Sequence, residues 1–175
     1  MSQLFMRRRD LKDLPDLPLP AGYVLREYRE ADREGVAALM QAAFEDATWT
    51  PERVQKDLRD DPTVVKTFVI ERDGVIVATA SARLLPETYP GSGYVHWVAA
   101  HPAHAGQKLG AIVTLAVLRE FVERGCADAV LETDDHRLAA IKTYRNLGFE
   151  PEHRHETHPE RWARIIADLL AAANI

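Results

Sequence analysis

Apolar positions along the chain recur with two periods, one near two residues and one near 3.6, and the alternation between them lays out the elements. From Ala31 to Phe44 the apolar residues Val36, Leu39, Met40, Ala43 and Phe44 fall at i, i+3, i+4, i+7 and i+8, one face of a helix. The longest such stripe, Leu109, Ile112, Val113, Ala116, Val117 and Phe121, predicts a helix over Gly106–Glu123 with Gly125 as its C-terminal cap. Shorter helices are predicted from Thr50-Pro51 to about Asp61-Pro62, with Thr50 as N-cap, and over Arg137–Leu147, ended by Gly148. A last helix begins near Thr157, spaced from Glu160 as in a capping box, and buries Trp162, Ile165, Ile166, Leu169 and Leu170. Strand patterns cover Tyr23–Tyr28, Val64–Glu71, Val75–Leu84, Tyr94–Ala100, Ala127–Glu132 and Phe149–Glu156, with Asp73-Gly74 as a hairpin turn between the second and third. Strands mixed with helices, including adjacent hairpin strands, predict one mixed α/β domain over residues 21–175. Pro15, Pro18 and Pro20 forbid helix in the segment before it, and residues 1–20 read as a proline-containing N-terminal arm laid over the domain or loosely ordered.

Composition narrows the function classes. The chain is 46% hydrophobic and 28% charged, the balance of a globular protein rather than a disordered one. Its net charge of −5 argues against a general nucleic-acid binder, which needs a basic stripe, but leaves room for an anion held by a local site. A single cysteine, Cys126, allows no internal disulfide and suits a reducing, cytoplasmic setting. The apolar stretch Ala111–Leu118 falls far short of the ~20 residues that cross a bilayer, so no membrane association is expected. Arg7, Arg8 and Arg9 are followed by no apolar core of signal-peptide length and read as part of a solvated arm.

Two stretches carry chemistry. In Val98–Val113 a strand ends at Pro102, and a loop bearing Gly106 and Gly110 feeds the N-terminus of the longest helix. Such a loop aims consecutive backbone N–H groups at the positive end of the helix dipole, a phosphate site that needs no basic surface. It is neither a Walker loop nor a G-x-G-x-x-G fingerprint. About thirty residues on, after one further strand, comes Ala139–Phe149, AAIKTYRNLGF. Together the stretches resemble the GNAT family of N-acetyltransferases, whose loop reads V-x-P-x-x-R-G-x-G-x-G/A and whose later helix reads A-x-x-x-Y-x-x-x-G-F. The matching residues are Pro102, Gly106 and Gly110, then Ala140, Tyr144, Gly148 and Phe149; the resemblance covers roughly residues 22–155.

The resemblance implies a GNAT-like fold, a central mixed, largely antiparallel twisted sheet of about six to seven strands flanked by helices. It implies acetyl-CoA as co-substrate, held by Val98, Ala99, Ala100, Gly106, Gln107, Lys108, Leu109, Gly110 and Ala111, and transfer of the acetyl group to a primary amine by direct attack in a ternary complex. Three positions depart from the pattern: Ala105 where the family usually has arginine, Lys108 where it has the middle glycine, and Arg137 where asparagine is frequent. Lys108 either contacts a phosphate in place of the lost arginine or points to solvent. By the resemblance Tyr144 is the general acid for the leaving thiolate; the alternative is packing beside Ile141 and Leu147. His96, mid-strand, is a candidate general base because an imidazole near pKa ~6.5 suits neutral pH, and Glu132, Asp134 and Asp135 compete with it.

His153, His155 and His158 form H-x-H-x-x-H without a matched cysteine or carboxylate set, so no metal is expected. His101 and His104 flank the loop and are expected to be exposed. Cys126 reads as a small buried hydrophobe rather than a nucleophile, which disfavours an acyl-enzyme. Trp97 and Trp162 read as packing residues, whereas Phe44, Glu45, Asp46 and Trp49 lie where the family shapes its acceptor site. Acidic residues there bias the acceptor toward a cationic amine. The alternatives are a non-catalytic acyl-CoA-binding module on the same fold and transfer of a longer acyl chain; the assembly is a monomer or homodimer.

Overall fold

The computed structural model describes residues 2–173. Its strands are β1 (Leu4–Arg8), β2 (Tyr23–Glu27), β3 (Val64–Arg72), β4 (Val75–Leu84), β5 (Ser92–Ala100), β6 (Asp128–Thr133) and β7 (Glu150–Glu152). They form one sheet in the order β2-β3-β4-β5-β6-β1-β7. Every neighbouring pair is antiparallel except β5 and β6. The β3–β4 hairpin turns on Asp73 (φ 51°) and Gly74 (φ 78°), the two left-handed residues that a type I′ turn requires.

Alternation along the strands sends side chains to two helical layers. On one face α1 (Arg33–Phe44) and α2 (Pro51–Val54, continued by a π-helical turn over Gln55–Arg59) bury Val36, Leu39, Met40, Val54 and Leu58 against Val69, Ile76 and Ala99. On the other, α3 (Leu109–Glu123) packs on β4 and β5, with Ile112, Val113, Val117 and Phe121 in one cluster with Ala78, Ala80, Ala82 and Val95. The alanine row lets the helix sit close, and at Gly93 a Cβ would overlap the Phe121 ring. Ile141 of α4 (Leu138–Asn146) and Trp162 and Ile165 of α5 (His158–Ala173) join the same cluster. Thr50 caps α2 as the sequence implies, accepting from the Arg53 N–H at 3.3 Å.

Residues 2–20 depart from the arm expected over residues 1–20; Met1 lies outside the described residues. Leu4–Arg8 is an interior strand between β6 and β7, and Leu4, Phe5 and Met6 are fully buried. A strand covered on both faces shows a short apolar run instead of alternation, and three residues are too few to read as a period. Arg7 and Arg8 are not solvated either. Arg7 pairs with Asp128 and, at 2.7 Å, with Glu152, while Arg8 donates to the carbonyls of Leu147, Asp10 and Lys12. The proline-bearing remainder, past Arg8, lacks regular structure. Two boundaries also move: α3 starts at Leu109 rather than Gly106, because the preceding loop turns through left-handed backbone, and β7 stops at Glu152.

Candidate active site

The site grows from a fault in the sheet. β5 and β6 are hydrogen-bonded only where Ser92–Tyr94 faces Asp128–Val130; beyond Tyr94 they separate. On the other side of β5, Ala99 pairs with Thr79 and His96 with Ser81, so Trp97 and Val98 together oppose the single residue Ala80. That bulge holds Trp97 at φ 47°, a left-handed conformation that costs a bulky side chain energy and frees local backbone from the ladder. The opening between parallel strand ends is where open α/β sheets accept ligands.

A groove of about 420 Å³ runs from this opening along the loop before α3. Its wall includes Val98, Ala99, Ala100, Gly106, Lys108, Leu109 and Gly110, seven of the residues expected to hold the cofactor. Gln107 and Ala111 do not line it; Gln107 is exposed, and Ala111 leans on the core. The loop is a short 3₁₀ turn over Pro102–His104, followed by Gly106 at φ 85° and Lys108 at φ 57°. Among the described residues the N–H groups of Gly106, Lys108, Leu109, Gly110 and Ala111 have no acceptor, while the Ile112 N–H already bonds the Lys108 carbonyl at 3.0 Å. Those from Lys108 to Ala111 are the orphan donors of a helix start; Gly106, Lys108, Leu109 and Gly110 line the groove, with nothing within 4 Å of an added Cβ at Gly106. The arrangement fits a pyrophosphate without the arginine that Ala105 lacks. Contrary to expectation, His101 and His104 are half-buried and line the groove. His101 Nδ1 accepts from the Ala103 N–H at 3.1 Å, and His104 Nδ1 meets the Tyr23 hydroxyl at 2.8 Å.

Across the opening lies a smaller cleft of about 230 Å³, walled by Phe44, Tyr94, His96, Trp97, Glu132, Asp134 and others. Val98, Arg137 and Tyr144 line both the cleft and the groove. Tyr144, on α4, is buried with its ring against Phe149 at 6.1 Å, and burial pushes its phenol up to about 12, opposed in part by the Arg137 charge. The phenol therefore stays protonated at neutral pH. His96 does not keep the pKa assumed for it. Burial, reinforced by the Arg83 charge and opposed by Asp61, lowers it to about 4, so the ring is neutral and a weak base at pH 7. Glu132 is exposed at the rim and accepts from the Tyr94 hydroxyl at 3.2 Å and from Tyr89 at 3.4 Å. Asp135 is not in the cleft: Arg161 holds it in a two-pronged ion pair, with one contact at 2.9 Å.

Other expectations settle differently. Trp49 is fully buried against Trp97, with ring centroids 4.6 Å apart, and lines neither cavity; Phe44 and Trp97 form the aromatic wall instead. Asp46 is spent on Thr48 and Arg53. His158 is buried, accepting at Nδ1 from the Arg154 N–H at 3.2 Å, while His155 bonds Thr157; among the described residues no three His, Cys, Asp or Glu side chains gather as metal ligands. Cys126 is half-buried, and burial raises its thiol pKa. Sequence reading missed Gln3, which reaches the cleft from the start of β1 and donates to Asp134 at 3.4 Å, and it missed Arg137 as a wall residue. The only signal for the latter was its departure from the usual asparagine.

A model of the acetyltransferase (GNAT) family matches residues 24–149. The chain is 33% identical over 165 residues to a mycothiol acetyltransferase of Nocardia farcinica, covering 86% of this chain and 54% of the relative. It is 30% identical to the protein of that name in Saccharomonospora viridis, covering 79% and 49%. The chain thus spans about half the length of the curated relatives it matches. Among solved structures, a GCN5-related N-acetyltransferase from Kribbella flavida aligns with a TM-score of 0.60 at 25% identity, covering 85% of this chain and 54% of that one. A Salmonella typhimurium protein solved with its cofactor acetyl-CoA aligns with a TM-score of 0.62 at 20% identity, covering 74% and 80%.

Proposed function

The chain belongs to the GNAT acetyltransferase family, and from that premise we propose that it is an acetyl-CoA-dependent N-acetyltransferase acting on a primary amine by direct attack in a ternary complex. The observation that carries this reading is Tyr144, a protonated phenol shared by the loop groove and the acceptor cleft. When bound, acetyl-CoA supplies an activated thioester. The free amides of Gly106 and of Lys108 to Gly110 hold its phosphates, with the Lys108 ammonium alongside. Backbone N–H groups freed by the bulge at Trp97 and Val98 receive the carbonyl oxygen as charge develops on it. Tyr144 donates its proton to the departing sulfur; the thiol's reference pKa of ~8.5 lies below the phenol's, so the hydroxyl acts as the bond breaks rather than beforehand.

The incoming amine must lose a proton. His96, with its proton affinity lowered by burial, yields that role to Glu132, which faces the cleft at its rim. Asp134 adds a second negative charge, and the pair favours a cationic amine before deprotonation. Among the described residues no helix is long and apolar enough to cross a membrane. A lone, half-buried thiol suits a reducing cytoplasm. The test is free-thiol release from acetyl-CoA with a panel of amines, with the product mass checked for one added acetyl group. Binding of acetyl-CoA without release on any amine would support a non-catalytic acyl-CoA-binding module instead.

A further inference from the structure

Arg137 is anomalous among the arginines. Every other buried or half-buried arginine among the described residues has a carboxylate or a backbone carbonyl for its N–H groups. Arg7, Arg26, Arg33, Arg53, Arg83 and Arg161 pair with acidic residues, and Arg8 donates to carbonyls. The Arg137 guanidinium makes no hydrogen bond and no ion pair with the described protein. It is half-buried, and burial lowers its pKa, outweighing the charges of Tyr144 and Asp134 that raise it; neither group bonds the guanidinium. It stacks on the Phe44 ring, 4.0 Å from the ring centroid. Stacking engages the face of the guanidinium and leaves its in-plane N–H donors free.

The location says which ligand can meet those donors. Phe44 lines the acceptor cleft and not the cofactor groove, so the stacked cation sits at the cleft side of their junction. The phosphates of the proposed cofactor are assigned to the free amides around Gly106, which line the groove and not the cleft. A full positive charge there has no cofactor anion to answer. The same cleft presents Glu132 and Asp134, which suit an ammonium. At about 230 Å³ the cleft is below the ~300–1,000 Å³ of ordinary ligand pockets, the scale of one small molecule or one amino-acid-sized moiety.

We propose that Arg137 recognises a carboxylate carried by the acceptor, so that the substrate class is a small amine that also bears an acid group. The guanidinium fork takes the carboxylate in its plane, and Glu132 and Asp134 take the ammonium. This assignment deepens the acetyltransferase reading and rests on it for the acceptor's role, but ligand binding tests it without turnover. Calorimetric titration of the whole chain, saturated with desulfo-CoA, compares each amino acid with its carboxamide, which keeps the amine and removes the acid. The expected result is at least one amino acid binding about 10-fold or more tighter than its amide, the scale of a charge-assisted hydrogen-bonded pair. Arg137→Gln abolishes the preference and Arg137→Lys recovers part of it, while the affinity for acetyl-CoA stays within about twofold in both. Equal binding of acid and amide overturns the proposal, as does no binding of either. A preference confined to aminoalkylphosphonates overturns the carboxylate assignment, and a loss of acetyl-CoA affinity in Arg137→Gln assigns the cation to the cofactor instead. Thiol release is scored separately. Acid-selective binding without release on any amine sinks the acetyltransferase reading and leaves the recognition role of Arg137 standing.

Discussion

His96 offers the sharpest quantitative test, because one geometric fact fixes both its chemistry and a piece of the pH stability profile. The ring is enclosed between Tyr94, Trp97 and the walls of the cleft, and titrates near 4 in the folded chain against 6.5 when unhindered. Between those values the unfolded chain binds the proton and the folded chain does not, so acidification favours unfolding. The stabilising contribution is complete above about pH 6.5 and is lost as pH falls toward 4. With about 1.4 kcal/mol for each pH step, the loss is about 2 kcal/mol at pH 5 and about 3 kcal/mol at pH 4. His96→Gln removes the titration and keeps a polar side chain. Paired urea denaturation curves of both proteins from pH 7 to pH 4 isolate the term, since depressed carboxylates whose charges are set by other partners, such as Asp32 and Asp135, contribute equally to each. For a slope of about 2 kcal/mol/M, the wild-type midpoint should fall by about 1 M relative to the variant at pH 5. Parallel pH dependence in the two proteins would refute the burial argument and restore His96 as a base near neutrality. The kinetic counterpart is that His96→Gln shifts no limb of the pH–rate profile between about pH 6 and 7.

Tyr144→Phe should lower kcat by about 10²-fold or more with little change in the KM for acetyl-CoA, measured by thiol release; full turnover would reduce Tyr144 to a packing residue. Lys108→Gly should separate backbone from charge. Glycine relieves the left-handed conformation at φ 57°, so the melting temperature holds or rises, while the KM for acetyl-CoA increases severalfold at low salt and less at high salt. An unchanged KM at low salt would return Lys108 to solvent. Gly93→Ala drives a methyl group into the Phe121 ring and should cost about 1–3 kcal/mol in denaturant unfolding; an unaltered midpoint would mean that β5 and α3 are not in register as described. Met6→Ala should cost about 2–5 kcal/mol, since Met6 is fully buried in β1, whereas a loosely laid arm would lose almost nothing.

The loop that we propose as the cofactor site was legible in the one-dimensional pattern because its parts are local. A proline stop, a glycine-bearing loop and the start of a long apolar stripe are contiguous from Pro102 to Val113, and the helix start itself creates the free amides. Tyr144 was legible for the same reason, four residues before Gly148 on a helix with its own stripe. The acceptor side was not, because its residues meet only through long-range pairing. Gln3 arrives with β1, which enters the sheet between β6 and β7 from the opposite end of the chain. Glu132 and Asp134 face His96 because β5 and β6 run parallel and then part, and nothing in either strand's own sequence marks where hydrogen bonding stops.

What the sequence determined alone was therefore the elements from β2 onward, the glycine-bearing loop before α3 and the family, all carried by periodicity and by spacing within one or two elements. Tertiary structure alone decided the fate of charges. It buried His96 and so lowered the pKa that its residue type suggests, tied Asp135 to Arg161, gave Arg7 two carboxylates, and left Arg137 stacked on Phe44 without one. The physical reason is range. Backbone propensity and hydrophobic period act over a few residues of chain, whereas desolvation and ion pairing depend on neighbours that the sheet brings together from more than a hundred residues apart.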